Sequence, residues 1–187
     1  ANIRQGGIIA IKIEDDDELI RVRLTEGKHH VLIGTRKGQS VRFDESDARA
    51  MGRDTRGVRG IKLKGDDEVV DMTVFEGEDG EILSISEQGY GKRTAIGEYR
   101  VQNRGGSGIK NFNVTAKTGK VAGLKHVIGD EEIMIMSEQG KVLRAKVDEI
   151  RQTGRSAQGV KTLTVDEGDR IAGIAVFDEQ ETEEEAP

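Results

Sequence analysis

A repeat of about 50 residues constrains this chain more than any other feature of the sequence. Four glycines, each followed by a similar alternating segment, open the units at steps of 50, 51 and 51 residues: Gly7, Gly57, Gly108 and Gly159. Three turn glycines keep the step of 51 residues: Gly38, Gly89 and Gly140. A fixed period of this size indicates a repeat architecture, in which neighbouring units stabilise one another.

Each full unit holds four short segments with the apolar pattern of β-strands. In the first unit we expect strands around Ile11/Ile13 and at Leu19–Leu24, and then a hairpin through Gly38. The pattern leaves open a short helix through Asp47–Met51, which Gly52 would end. The fourth unit stops after two strands. Four antiparallel strands per unit predict an all-β, propeller-like ring of four-stranded blades. Because such rings typically have about four to eight blades, three and a half units predict a partial or open ring.

The period places the predicted blades at approximately 1–54, 55–105 and 106–156, with an incomplete blade at 157–177. The remaining residues, 178–187, form an acidic tail that accounts for the net charge of -6, since acids and bases balance in the rest of the chain. We interpret the tail as solvated and disordered. A sharper alternative is a tethered anion that competes with an acidic ligand for a basic face.

Composition argues against catalysis in this chain. The sequence has no cysteine, which excludes disulfides and thiolate metal sites and suits a reducing cytoplasm. Its histidines, His29, His30 and His126, lack metal-ligand spacing, and no nucleophile motif is present. No apolar run approaches the roughly 20 residues that a membrane span needs. We therefore expect no catalytic residue, no metal site and no cofactor here.

Basic residues recur at the same step as the repeat, which predicts a track of phosphate contacts for duplex DNA. The candidate DNA-binding residues form four rows and one pair: Arg42, Arg93 and Arg144; Arg49, Arg100 and Arg151; Arg53, Arg104 and Arg155; Arg59, Lys110 and Lys161; and Lys12 with Lys62. Each row could equally be structural, with arginines that tie neighbouring blades together, because the same step would preserve that role. A chain with so few aromatic residues is better suited to duplex than to single-stranded nucleic acid.

Three segments closely resemble the C-terminal domain of the bacterial DNA gyrase A subunit: Arg53–Ile61, Glu87–Thr94 and Glu98–Gly108. The resemblance implies a β-pinwheel whose blades exchange strands, with duplex DNA wrapped around its rim so that the holoenzyme introduces negative supercoils. It implies a non-catalytic domain of an ATP-dependent type IIA topoisomerase, with ATP and magnesium used by other domains. The implied partners are double-stranded DNA and the remaining parts of the gyrase A and B subunits, in the bacterial cytoplasm at the nucleoid. Open blade edges would also allow self-association.

The wrapping motif of this family, Gln-Arg-Arg-Gly-Gly-Arg-Gly in the first blade, has a degenerate counterpart here at Gln102, Asn103, Arg104, Gly105, Gly106, Ser107 and Gly108. Asn103 and Ser107 stand where the family has arginines. The resemblance therefore implies that this chain corresponds to the last few blades. Two alternatives stay open: the C-terminal domain of the related topoisomerase IV enzyme, in the subunit that corresponds to gyrase A, and a propeller-like scaffold for protein interactions.

Overall fold

The computed structural model describes residues 7–177, and its regular structure in that range is almost entirely β. The strands are β1 (His30–Thr35), β2 (Gln39–Asp44), β3 (Val69–Phe75), β4 (Glu81–Ser86), β5 (Tyr90–Ala95), β6 (Ile109–Lys110), β7 (Val121–Val127), β8 (Glu132–Ser137), β9 (Val142–Lys146), β10 (Val160–Lys161) and β11 (Ile171–Phe177). The helical residues are two 3₁₀ turns at Glu45–Asp47 and Ile96–Glu98. Over this range, no helix has the length and apolar character that crossing a membrane would require.

Three antiparallel hairpins, β1–β2, β4–β5 and β8–β9, carry the repeat. Each is closed by a tight turn in which the turn glycine donates its N–H to the last residue of the first strand, as Gly38 does to Thr35 O at 3.0 Å. The three turn glycines have φ of 81°, 73° and 85°. Positive φ is unfavourable for a residue with a Cβ, which explains a glycine at this point of every unit.

Each hairpin is extended by strands from later units, so the sheets cut across the predicted blade ranges. The first sheet has the order β3-β1-β2-β6, and the second has the order β7-β4-β5-β10. The third, β11-β8-β9, has three strands within the described residues. One edge strand comes from the next unit and the other from the unit after that. This exchange is the one implied by a β-pinwheel, and the predicted all-β fold is confirmed.

The sheets pack on one another through the strands that each hairpin takes from the next unit. β3 packs against β7, and β7 packs against β11. The apolar cores lie around these contacts; Leu32, Phe75 and Leu124 share one, and Ile135 and Ile174 share another. A hairpin cannot bury both faces alone, so the strand exchange and the stacking together provide the core.

The predicted strands at the start of the first unit are wrong. Residues 7–29 form no strand in the structure, and the apolar side chains of both predicted segments, Ile11/Ile13 and Leu19–Leu24, are largely exposed. The second unit's opening segment, residues 58–63, likewise forms no strand. By the observed exchange, such segments pair with hairpins of earlier units, and residues 7–29 form no hairpin. The short helix that the sequence left open at Asp47–Met51 does not form, and the chain makes a 3₁₀ turn at Glu45–Asp47 instead. The predicted acidic tail, 178–187, lies outside the described residues.

Candidate nucleic-acid interface

The row at the end of the return strands, Arg42, Arg93 and Arg144, is largely structural. Arg42 is 2% exposed; its guanidinium donates to Glu78 Oε1 at 2.6 Å and to Tyr99 O at 3.1 Å. Arg93 donates to Ile150 O at 2.6 Å. Tyr99 and Ile150 each lie 57 residues beyond their arginine, so the same tie recurs. Arg42 is too buried to contact a phosphate, so its prediction as a DNA-binding residue is wrong.

The tie formed by Arg42 also affects a carboxylate. Its guanidinium holds the pKa of Glu78 below the usual range, first through the hydrogen bond and then through its charge. Arg144, the third member of the row, instead pairs with Glu132, and its side chain is 54% exposed. The difference arises because the described chain has no later linker to cover Arg144.

In the row of Arg53, Arg104 and Arg155, the last two arginines join a linker to the opening segment of the preceding unit. Arg104 donates Nε–H to Asp47 O at 3.0 Å and Nη1–H to Arg59 O at 2.6 Å. Arg155 donates from Nη1 to Lys110 O, the position 51 residues beyond Arg59. Both guanidiniums are therefore partly committed to the backbone, whereas Arg53 is exposed.

The row of Arg49, Arg100 and Arg151 is exposed, and within residues 7–177 none of its guanidiniums makes a hydrogen bond or an ion pair. The linkers fix where these arginines sit. Gln102 donates its N–H to Arg42 O at 2.8 Å, and Thr153, 51 residues later, donates to Arg93 O at 2.9 Å. Arg100 and Arg151 thus occupy the same place beside the return strands of successive sheets.

A second exposed row, Arg59, Lys110 and Lys161, lies near the first. Arg104 contacts both Asp47 and Arg59 through their carbonyls, so it brings the linker of Arg49 against Arg59. Arg155 does the same between the linker of Arg100 and Lys110, with its backbone N–H on Glu98 Oε2 at 2.7 Å. The result is a cationic group that occurs twice, once with Arg49 and Arg59 and once with Arg100 and Lys110. Lys12 and Lys62, the remaining candidates, are also exposed.

The degenerate motif at residues 102–108 forms a loop against the opening segment of the second unit. Gly105 donates its N–H to Gly60 O at 2.6 Å, and Gly106 O accepts from Lys62 N–H at 2.8 Å. Gly108 has φ of 71°, and a Cβ there would collide with Ser40 O. These glycines therefore serve the close approach of two backbones. In this loop Asn103 and Ser107 are exposed, while Gln102 is half-buried.

Sequence reasoning missed Lys92, which is fully buried in β5. Its ammonium donates to Gly154 O at 3.0 Å and to Arg155 O at 2.5 Å, and lies 5.7 Å from the centre of the Phe112 ring. Burial lowers the pKa of Lys92 to about 7, against the opposing charge of Glu98. Aligning the units reveals Lys92 as unusual, because the residues at the same position of the other units are the apolar Val41 and Leu143.

The described residues offer little to a metal ion. Across residues 7–177 no group of three or more His, Cys, Asp or Glu side chains is arranged to hold one. What the arrangement does present is a repeated set of guanidinium and ammonium groups beside the linkers. Such groups suit contacts to a polyanion's backbone.

Comparison with known proteins identifies the family. A family model described as DNA gyrase C-terminal domain, beta-propeller, matches residues 1–26, 29–76, 80–127 and 131–178. Each of the last three matched ranges starts just before a hairpin and ends with the strand from the next unit that pairs with it, as in the observed sheets.

Curated relatives agree with this match. The DNA gyrase A subunit of Deinococcus deserti is 45% identical over 174 residues, which are 91% of this chain and 22% of that protein. The DNA gyrase A subunit of Staphylococcus aureus strain MRSA252 is 42% identical over 185 residues, covering 98% of this chain and 21% of that protein. The chain thus spans about a fifth of the length of these relatives.

Two solved structures share the fold. A DNA gyrase A C-terminal domain superposes with a TM-score of 0.85 at 30% identity, covering 92% of this chain and 59% of that one. A C-terminal domain of DNA topoisomerase IV also gives 0.85, at 24% identity, covering 90% of this chain and 53% of that one. With the strand exchange, the matched repeats and the gyrase relatives all in agreement, this chain belongs to the DNA gyrase C-terminal domain, beta-propeller, family.

Proposed function

We propose that this chain is a non-catalytic module that binds duplex DNA and bends it along the cationic groups beside its linkers. The observation that carries the proposal is the row of Arg49, Arg100 and Arg151, which recurs at a step of 51 residues, is exposed, and makes no hydrogen bond or ion pair within the described residues. Structural arginines are normally committed to partners, as Arg42 is. Exposed arginines that recur at a fixed step and have no partner are better explained by contact with an external anion.

The physical basis of binding is counterion release. Duplex DNA carries one charge per roughly 1.7 Å, and each neutralised phosphate contributes sequence-independent affinity that weakens with salt. Bending a short site costs on the order of 1–6 kcal/mol. Contacts from Arg100, Lys110 and their counterparts on the neighbouring sheets would offset that cost, and the repeat would lead the DNA from one sheet to the next.

In the parent protein we propose that this module is part of the DNA gyrase A subunit, where it works with the remainder of that polypeptide and with the gyrase B subunit. Wrapping would then let the holoenzyme introduce negative supercoils, while ATP and magnesium serve other domains. The corresponding C-terminal domain of topoisomerase IV is the alternative within the fold. The identities of 45% and 42% to gyrase relatives favour gyrase.

A scaffold for protein interactions is the second candidate function. The observation in its favour is that Arg42, Arg93, Arg104 and Arg155 tie the backbone of one unit to another, so that much of the arginine repeat is structural. A scaffold needs no exposed cationic row, however. The two functions therefore differ in what the loss of Arg49, Arg100 and Arg151 should do.

Titration of a short labelled duplex between about 50 and 200 mM salt tests the proposal, because phosphate contacts set the slope of log K against log salt. We expect steep salt dependence, and removal of Arg49, Arg100 and Arg151 together by alanine should reduce the slope by up to about 3, roughly 1 per contact. The matched control replaces three exposed bases outside the row: Lys64, Lys141 and Arg170.

The control variant has the same net charge as the row variant and should keep most of the slope. The unmodified chain should also change the linking number of closed circles relaxed in its presence. Binding that does not respond to salt, or an equal loss in both variants, would contradict DNA binding by this row. An absence of binding by the unmodified chain would favour the scaffold.

A further inference from the structure

The first and third sheets each carry an ion pair beside their hairpin turn. Lys37 pairs with Asp66 on the first sheet, and Lys141 pairs with Asp166 on the third. In both cases the acid lies in the turn that precedes the strand taken from the next unit, which is β3 or β11. The two charges at each of these places therefore cancel.

The second sheet has a different charge at this place. Lys117, 51 residues beyond Asp66, stands in the position of the acid, and Gln88, 51 residues beyond Lys37, stands in the position of the base. Gln88 donates its backbone N–H to Thr118 O at 3.0 Å, so the turn that carries Lys117 is held against the hairpin turn of β4 and β5. The second sheet thus has an ammonium where the first has a carboxylate.

Tyr90, the first residue of β5, brings Lys117 together with a second lysine. The Lys117 ammonium lies 5.4 Å from the centre of the Tyr90 ring. Lys161 of β10 pairs with Tyr90 across the sheet, and its ammonium also lies 5.4 Å from the ring centre. Tyr90 is buried, whereas both lysines are exposed. These three residues, here called the tyrosine site, come from the second, third and fourth units, so the strand exchange assembles the site.

An aromatic ring orients a cation without cancelling its charge. The face of the ring attracts an ammonium within about 6 Å of its centre, but the ring carries no net charge. Within residues 7–177, neither ammonium of the tyrosine site makes a hydrogen bond or an ion pair. Two like charges therefore converge on one ring with no carboxylate beside them, and an anion would relieve their repulsion.

The carboxylate of the same hairpin turn is already used. Glu87 is buried; its Oε1 accepts from Arg36 Nη2 at 2.7 Å, and its Oε2 accepts from the N–H of Lys120 at 2.9 Å. Because Arg36 belongs to the first hairpin, Glu87 serves to join the first two sheets. The positive charge of the tyrosine site is thus left for an anion from outside the described residues.

We propose that the tyrosine site contacts phosphates of duplex DNA, with Lys117 and Lys161 as the binding groups and Tyr90 as a positioning residue. Lys161 belongs to the exposed row that also contains Arg59 and Lys110, so the site is continuous with the cationic residues proposed to bind DNA. Phosphates follow one another along a strand at about 3.4 Å of helix axis, so two ammonium groups over one ring would meet the same short stretch of backbone. This inference rests on the proposed function and adds a contact that the repeat does not predict.

The site makes the second sheet the place where DNA is held most tightly. The rows of basic residues offer each sheet similar contacts, but beside the second hairpin turn the duplex meets the additional ammonium of Lys117. On the first sheet the corresponding residue is Asp66, whose carboxylate would repel a phosphate. The DNA-binding surface is therefore uneven, although the fold repeats.

Titration of the labelled duplex with Lys117→Ala, in the 187-residue chain, measures the added contact. We expect the slope of log K against log salt to fall by about 1, and binding at about 100 mM salt to weaken about fivefold to tenfold. Lys117→Asp, which gives the residue found at position 66, should weaken binding further. Lys64→Ala is the matched control, because Lys64 is exposed and lies in the corresponding turn of the second unit; it should keep the slope.

Two variants of Tyr90 separate positioning from packing, since this residue also packs against Phe112 and Val121. Tyr90→Phe keeps the ring and should bind DNA as the unmodified chain does. Tyr90→Leu keeps an apolar side chain but loses the attraction of the ring for both ammonium groups, so binding should weaken about twofold to fivefold. Urea midpoints of Lys117→Ala and Tyr90→Phe should equal that of the unmodified chain. A lower midpoint for Lys117→Ala with unchanged DNA binding would show that the contact with Tyr90 is structural and would overturn the inference.

A single cysteine gives the most direct test, because the chain has none of its own. Lys117→Cys, labelled with a thiol-reactive photo-crosslinker, should attach to the duplex on illumination, whereas Lys64→Cys with the same label should not. Steep salt dependence that is reduced by loss of Arg49, Arg100 and Arg151, but not by Lys117→Ala, would overturn this inference alone. Equal crosslinking by both cysteine variants would also overturn it. An absence of salt-dependent binding by the unmodified chain would overturn the proposed function and this site with it.

Discussion

The first two sheets and the third are built from the same repeat but end in different states. In the first sheet, β2 is covered by β6 and Arg42 is covered by the linker that carries Tyr99. In the third, Leu143 is 40% exposed at a position where Val41 and Lys92 are fully buried. Local sequence is nearly equivalent at these places. The difference teaches that burial in this fold is conferred by later units rather than by the residue itself.

The largest expected effect is a difference in the free energy of unfolding between alanine variants of Arg42 and Arg144, which occupy equivalent positions. Arg42→Ala removes the donor to Ile96 O and Tyr99 O, which are buried, and to Gly77 O, which is not. Buried acceptors left without a donor cost about 1–3 kcal/mol each, so we expect a loss of about 3 kcal/mol in the free energy of unfolding. Arg144→Ala breaks one exposed ion pair and should cost less than about 1 kcal/mol.

Urea denaturation followed by circular dichroism measures both arginine variants. Equal losses would mean that the linker does not stabilise the first sheet through Arg42. The m-value should stay the same in both variants, because neither substitution changes the surface that unfolding exposes.

The next effect concerns the turn glycines. Gly140→Ala introduces only the strain of a left-handed backbone, about 1–2 kcal/mol. Gly89→Ala adds to this strain a collision with Leu163 O, and over-packing of this kind typically costs about 1–3 kcal/mol more. The same denaturation experiment compares them. A Gly89 variant no less stable than the Gly140 variant would show that the β10 segment moves aside at little cost.

The smallest effect is a pH dependence at Lys92. Because burial lowers the pKa of this lysine to about 7 in the folded chain, the unfolded chain binds more protons between about pH 7 and its ordinary pKa of 10.5. Stability should therefore rise as pH increases from 7 to 9, on the order of 1–2 kcal/mol from this group. Lys92→Leu, which gives the residue found at position 143, should remove that rise.

Denaturation midpoints at several pH values test the lysine. Lys110→Leu is the control, since that side chain is exposed, and it should keep the pH profile of the unmodified chain. If the Lys92 variant also keeps the profile, Lys92 does not change protonation in this range.

Only part of the candidate interface could be predicted from the sequence. The sequence placed arginines in rows but could not separate committed rows from exposed ones, because the step of 51 residues is the same for both. Arg42 and Arg100 are alike in the sequence. What distinguishes them is that Arg42 meets carbonyls of the next unit's linker, a contact 57 residues away along the chain, while Arg100 meets none.

The sequence by itself determined the all-β class, the period, and the glycine turns of the three hairpins, because strand alternation and positive φ are local requirements. The tertiary structure alone decided which strands complete each sheet. Leu19–Leu24 has as good a strand pattern as Val69–Phe75, but only the latter finds a hairpin edge within this chain. A strand needs a partner for its backbone hydrogen bonds, and the partner here belongs to another unit.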